Sequence, residues 1–417
     1  MATGVSKTKW NGQIDKSASS GDGLDFNGFR QIWPLAKTQS SNRLYFGDNL
    51  YVLKKLSEDQ KIRGNVRLIY IDPPYSTNSV FQTRTLENGY ADLLVGDEYL
   101  SFLKERLVLL RDLLADDGSI YVHLDENMAF HAKVMLDNVF GKGNFKNFIV
   151  RQKCRPKNFT KKSFGNIVDY ILFYTKTDKA VWNKPHEAWT EEKILKEYSV
   201  IEPETGRRYK RVPLHAPGTR NGETGNPWRG MLPPAGKHWQ FIPSKLDEFD
   251  IQGKIYWSKN GNPRRKVYLD ESRGLSIQDI WSDFLDANNQ NDKITGYPTE
   301  KNVNLLKRII AASSNEGDLV LDCFVGSGTT LEAAARLKRN WVGIDIEKAA
   351  METILKRFAH GTQKMGDYVQ KENISQRPLF ENEFSGRITD FVLISEKDRV
   401  NELDGILQKW NEWINPN

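Results

Sequence analysis

Six residues, Val66-Arg67-Leu68-Ile69-Tyr70-Ile71, run apolar almost without a break and stop at Asp72-Pro73-Pro74-Tyr75. A strand without polar alternation is buried on both faces, the habit of a parallel sheet, and parallel strands need helical crossovers between them. The flanking sequence supplies the crossovers. Leu103, Leu107, Leu110 and Leu114 recur at steps of four, three and four, one apolar stripe of a helix expected to stop near Gly118, and the strand Ser119 to Leu124 follows. An earlier short strand and turn, Leu44 to Asn49, leads into a helix through Leu50, Leu53 and Leu56. The same rhythm resumes near Thr299. A helix through Val303, Leu306, Ile309 and Ile310 precedes a strand at Leu319, a glycine loop, a helix from Leu331 to Leu337 and a strand from Trp341 to Ile346. The fold class read from this alternation is α/β, a doubly wound, Rossmann-like sheet.

Between the two stretches the pattern changes to short strands, prolines and glycines. The division expected is a disordered arm over 1–22, one half of the core over 23–146, a loop-rich insert and linker over 147–295, the second half of the core over 296–360 and a C-terminal appendage over 361–417. The appendage reads as a strand followed by a helix from Val400 to Trp413.

Charge is uneven. From Arg151 to Asp270 there are 24 Lys and Arg against 13 Asp and Glu, whereas the chain as a whole carries only +6. Five of the eleven tryptophans (Trp182, Trp189, Trp228, Trp239, Trp257) lie in the same segment. Cations interleaved with aromatic rings suit phosphate contact and base stacking. The alternative is a solvated face around a small tryptophan core. The two cysteines, Cys154 and Cys323, are too few for a disulfide framework or a thiolate zinc site, so no metal is expected. No window approaches the roughly 18 apolar residues of a membrane span, and the polar N-terminus lacks the apolar core of a secretory signal. A cytoplasmic protein is expected.

Two motifs carry chemistry. Asp72, at a strand end, offers a carboxylate acceptor, and Pro73 offers a backbone carbonyl beside it, both fixed by consecutive prolines. Such a pair can hold both hydrogens of an aromatic amine, with Tyr75 stacking on the ring. About 250 residues later comes Phe324-Val325-Gly326-Ser327-Gly328-Thr329-Thr330. Gly326 and Gly328 permit a tight turn and close backbone approach between strand and helix. Asp345 ends the next strand, 23 residues after Asp322, where an acid can bind two ribose hydroxyls. Glu347 competes for that role, but Asp345 is nearer the strand end. The loop lacks the Lys-Ser/Thr of a nucleoside triphosphate site, and Leu331 stands where a dinucleotide fingerprint has its third Gly or Ala. A ligand with an adenosine but no phosphate fits better. His123, on a sheet strand, reads as a packed core residue.

The constellation resembles the β-group DNA amino-methyltransferases, the adenine-specific Asp-Pro-Pro-Tyr type that includes modification methyltransferases of restriction systems. The resemblance covers roughly Leu44 to Phe358 and rests on Tyr45-Phe46-Gly47-Asp48-Asn49, Ile71 to Tyr75, Gly118 to Asp125, Tyr297-Pro298-Thr299-Glu300-Lys301 and Leu319 to Thr330. The catalytic tetrapeptide comes first, the target-recognition insert second and the cofactor loop last, a circularly permuted order. The resemblance implies methyl transfer from S-adenosylmethionine to the N6 amine of adenine, in a nucleotide flipped out of a double-stranded DNA site. Asp72, Pro73, Pro74 and Tyr75 would grip the base. Asp322, Phe324, Gly326, Gly328 and Thr329 would line the cofactor, with Asp345 at the ribose, Asp48 near the adenine and Lys301 near the methionine moiety. Two positions depart from the family pattern, Cys323 and Asn302 standing where proline is usual. The rival readings are an N4-cytosine methyltransferase, for which a leading Ser rather than Asp72 would be the habit, and a catalytically silent DNA-recognition subunit. A restriction subunit and a second copy of the chain are further partners that the resemblance suggests.

Overall fold

The computed structural model describes residues 25–26, 28–35, 40–74, 80–82, 88–91, 97–156, 162–286, 293–297, 300–364 and 386–415. The expected arm over 1–22 lies outside them. The chain divides into two compact units, Met1–Pro185 with Gln278–Asn417, and His186–Ile277.

The first unit is built on one sheet. Its strand order is Asp25–Phe26, Phe29–Trp33, Val392–Glu396, Arg43–Phe46, Asn340–Asp345, Leu319–Asp322, Val66–Ile71, Leu114–Leu124, Val168–Thr175, Phe145–Gln152 and Ile280–Trp281. The six strands from Val392–Glu396 to Leu114–Leu124 run parallel to one another. The Val66–Ile71 strand therefore pairs directly with Leu319–Asp322, so the two halves separated in sequence adjoin at the centre of the sheet.

Burial on both faces explains the near-continuous apolar run. Ile69 and Ile71 pack with Leu53, Leu56, Leu103 and Leu107 of the helices Asn49–Glu58 and Asp97–Leu113. Leu68 and Tyr70, on the opposite face, are buried as well. There the helix Val303–Ser313 covers the sheet, and Ser313 Oγ lies 2.7 Å from the Tyr121 hydroxyl of the next strand. Arg67, the one polar residue of the run, sits near the strand's start, where it pairs with Asp117 and, at 3.3 Å, with Asp318. Among the described residues, no helix is long and apolar enough to cross a membrane.

Three boundaries differ from the sequence reading. The helix ends at Leu113 because Leu114 already pairs with Val66 and opens a long strand; Gly118, farther along it, passes close to the Ala115 and Val66 carbonyls, and a Cβ there would meet both at 2.9 Å. The expected insert over 147–295 begins too early and ends too late. Phe145–Gln152 and Val168–Thr175 extend the main sheet as an antiparallel pair, Ile280–Trp281 returns to it, and the second unit is His186–Ile277. The segment over 361–417 is no appendage either. Val392–Glu396 lies inside the sheet, parallel to Arg43–Phe46 and antiparallel to Phe29–Trp33, and the helix Asp404–Ile414 buries Trp410 against Trp33 and Phe391.

The second unit has its own core. Trp228 and Trp239 are 1% and 3% exposed and pack edge to face with Leu214, Leu246 and Ile255 around them. These two tryptophans are core residues rather than stacking platforms, as the alternative of a small tryptophan core has it, whereas Trp182 and Trp257 are exposed.

Candidate active site

Three carboxylates stand at or just beyond the C-terminal ends of three adjacent parallel strands: Asp72, Asp322 and Asp345. This edge of an open α/β sheet is where ligands bind.

The glycine loop is shaped by two of them. Gly326 (φ 53°) and Gly328 (φ 80°) both adopt the left-handed conformation that favours glycine. The Gly326 N–H donates to Asp345 Oδ2 at 2.7 Å, and the Glu347 N–H donates to its other oxygen at 2.9 Å. One carboxylate thus ties the loop to the next strand. The Phe324 N–H donates to Asp322 Oδ1 at 2.9 Å, and the Thr330 hydroxyl also bonds that side chain. Burial dominates both groups, pushing Asp322 up to about 7 and Asp345 up to about 6. Gly328 opens the helix Thr329–Arg336, and a Cβ there would stand 2.9 Å from Ile354. Behind the loop the buried Arg357 binds Glu300 and, at 2.5 Å, Glu332.

Asp72 has a different partner. Lys301 Nζ lies 2.6 Å from Asp72 Oδ2. Burial alone would lower the ammonium's pKa, yet it is raised, first by Asp72 and then by Asp286 and Asp169. Those two acids belong to one polar network around the buried Arg151. Arg151 bridges Asp169 (2.9 Å) and Asp286 (2.7 Å) and donates to the Phe284 carbonyl. His123 Nε2 lies 2.9 Å from Asp169, and its Nδ1 is 2.7 Å from the Tyr70 hydroxyl. Burial works to raise Asp169, but His123 and Arg151 hold it well below the usual carboxylate range. His123 is fully buried on its strand, as read from the sequence. Asn302, the departure from proline, caps the next helix, its side chain accepting from Asn304 N at 2.9 Å.

Asp48 is also a cap. Its Oδ1 accepts from the Tyr51 N–H that opens Asn49–Glu58, and its own N–H donates to Glu396. The next residue reaches the loop strand: Asn49 Nδ2 donates to the Cys323 carbonyl at 2.8 Å, and Arg106 Nε holds Asn49 Oδ1 at 2.6 Å. Arg106 stacks on Phe102, whose ring is 6.0 Å from Phe324. Sequence reading missed Asn49 and Arg106. Asn49 had a signal, lying inside the Tyr45-Phe46-Gly47-Asp48-Asn49 motif, whereas Arg106 sits in an amphipathic helix among other charged residues, with nothing local to mark it. Pro73 is buried and Pro74 half-buried beside Asp72. Tyr75, Pro298 and Thr299 lie outside the described residues.

The family model described as DNA methylase matches residues 66–356. The Type II methyltransferase M.EcaI of Enterobacter cloacae is 48% identical over 340 residues, covering 81% of this chain and 74% of that protein. The StyLTI Mod subunit, from a Type III restriction-modification enzyme of Salmonella typhimurium, is 28% identical over 82% of this chain and 58% of its own length. A solved structure, the M1.HpyAVI–SAM complex, matches with a TM-score of 0.41 at 19% identity, over 76% of this chain and 98% of that one. With a paired carboxylate at one strand end, a glycine loop at the next and a family match that spans both, this chain belongs to the DNA methylase family.

Proposed function

We propose that this DNA methylase is a modification enzyme that methylates the N6 amine of adenine in a specific duplex sequence, with S-adenosylmethionine as methyl donor. The observation that carries the reading is Asp72, held by Lys301 beside a glycine loop that is tied down by Asp345. The donor supplies a methyl group on a sulfonium, ready for displacement. The loop suits it chemically. Its glycines allow close approach, and Asp345 keeps lone pairs for ribose hydroxyls even after accepting two backbone N–H groups. Asp322, Phe324, Gly328 and Thr329 line the same pocket in this reading, with Asp48 near its adenine end.

The amine of an aromatic base is a weak nucleophile because its lone pair is delocalised into the ring. Asp72 accepts one amine hydrogen and the Pro73 carbonyl accepts the other, which favours the pyramidal nitrogen that attacks. As the new N–C bond forms, the amine nitrogen gains positive charge, so both acceptors bind the transition state more strongly than the ground state. The extra proton then leaves from the methylated nitrogen, which is acidic enough to need no strong base. A paired base presents neither its face nor these hydrogens, so the nucleotide must be flipped out. Asp rather than Ser at position 72 supports adenine over cytosine.

The test is to incubate the protein with unmethylated genomic DNA and isotopically labelled S-adenosylmethionine, digest to nucleosides and identify the product by mass spectrometry. N6-methyladenine is expected, with Asp72→Ala lowering the rate by about 10³-fold. N4-methylcytosine would overturn the adenine assignment, and cofactor binding without any methylated base would overturn catalysis.

A further inference from the structure

The His186–Ile277 unit carries a four-stranded sheet in the order Val200–Ile201, Arg208–Pro213, Pro263–Tyr268, Ile255–Trp257. Register sets Tyr209 opposite Tyr268, Arg211 opposite Lys266 and Pro213 opposite Arg264, which in turn stands opposite Tyr256. Residues directly opposite in an antiparallel ladder share a face. Tyr209, Arg211, Lys266, Tyr268, Arg264 and Tyr256 therefore lie together. The other face is covered: Ile255 joins the tryptophan core, and Arg265 lies over Phe241 and Phe249.

On the first face cations and rings alternate. Arg207 lies 3.8 Å over the Tyr268 ring, Lys266 5.4 Å from Tyr209, and Arg211 3.7 Å over Tyr256. The two ends of this row differ in charge compensation. Arg207 binds Asp270 and Glu271, Lys254 binds Glu271, and Lys266 binds Glu202. Arg211 and Arg264 are exposed and have no carboxylate partner among the described residues. Arg211 also stands directly opposite another cation, Lys266, a placement that by itself disfavours the ladder. An exposed cation–ring contact returns only about 0.5–1 kcal/mol. The field at this end is positive: His215 is held below its ordinary value by burial and then by Lys237 and Arg264.

We propose that the end of this sheet bearing Arg211, Arg264 and Tyr256 grips the phosphate backbone of duplex DNA, with the Arg211 guanidinium braced over the Tyr256 ring while its N–H groups meet a phosphate. The inference rests on membership of the DNA methylase family and names where in this unit the duplex is held. A planar guanidinium braced by a ring loses little freedom on binding a phosphate. Such contacts position the duplex without reading its sequence.

The experiment measures the affinity of the full chain for a methylatable duplex and for an unrelated one across a range of salt. The Arg211→Ala/Arg264→Ala double variant should flatten the plot of log affinity against log salt by about 2 and weaken both duplexes by the same factor, at least about tenfold at low salt. Arg211→Lys/Arg264→Lys should keep most of the slope. Lys193→Ala/Lys196→Ala, which removes two exposed cations of the helix Glu191–Glu197, should leave it unchanged. An unchanged slope in the arginine double variant, or a loss equal to that of the helix variant, would overturn the proposal. So would a loss confined to one sequence, which would mean base reading. Wild-type protein without salt-dependent DNA binding would instead sink the family reading on which it rests. Heat unfolding and S-adenosylmethionine binding, both expected to be unchanged, report that each variant is folded.

Discussion

Asp72 and the pair Asp322 and Asp345 end neighbouring strands of one sheet, yet they are held in opposite ways. Asp72 faces an ammonium, Lys301, at 2.6 Å. Asp322 and Asp345 are met by backbone N–H groups, with Thr330's hydroxyl at Asp322, and burial raises both. A carboxylate paired with a buried cation is fixed in position, which suits the acceptor role proposed for Asp72. Carboxylates held by neutral dipoles can be buried deep, shape a loop and still leave lone pairs for neutral groups such as hydroxyls. One strand edge thus offers two kinds of acid, set by their partners rather than by residue type.

The largest expected effect tests the buried side of this contrast. The folded Asp322 carboxyl, at about 7, binds its proton more tightly than in the unfolded chain, where the ordinary value is 3.8. The folded state therefore holds more protons than the unfolded state between those values, so this group's stabilising contribution is complete below about pH 4 and is lost as pH rises through 7. At about 1.4 kcal/mol per unit the loss is on the order of 3–4 kcal/mol. Asp322→Asn, neutral throughout, should remove that decline in denaturation midpoints measured from pH 4 to pH 8; an equal decline in the variant would mean the carboxyl is charged in the fold. Next comes Asp345→Asn. Losing charge-assisted bonds worth about 1.5–3 kcal/mol should weaken S-adenosylmethionine binding by roughly 10- to 100-fold in calorimetry, and full affinity would remove Asp345 from the ribose. The smallest effect sharpens the assignment of Lys301. Lys301→Met should lower kcat about tenfold with little change in the KM for the methyl donor, as expected of a group that acts on Asp72. A raised KM at constant kcat would return Lys301 to the methionine end of the cofactor.

Much of this edge could be read from the sequence because its signals are local. The run into Asp72 and the glycines at 326 and 328 each describe one strand end, and backbone sterics demand those residue types there. Arg106 was not legible, and although Asn49 lies inside a readable motif its contact was not, because both depend on the Cys323 carbonyl, 274 residues away from Asn49. The insert boundary failed for a related reason. Phe145–Gln152 carries four polar residues, Lys146, Asn147, Arg151 and Gln152, around a short apolar stretch, and so looks unlike the buried central strands. The tryptophans misled because residue type does not separate a ring in a small core from one on a surface; Trp228 and Trp239 do the former, while the cations around Tyr256 keep the exposed role.

The placement of Val392–Glu396 bears on how the chain comes to be folded. That strand lies between Phe29–Trp33 and Arg43–Phe46, and Glu396 accepts the Asp48 N–H from 348 residues away. During synthesis the two early strands emerge first but have no neighbour in common until the late one arrives. Until then the Arg43–Phe46 strand, next to the helix that carries Asn49, presents a raw edge to any other extended chain. Closing so long a loop is slow. The margin beside the proposed cofactor pocket is therefore among the last parts of the sheet to be completed, and a polypeptide cut short before residue 392 would keep its signature motifs while exposing a surface prone to aggregate.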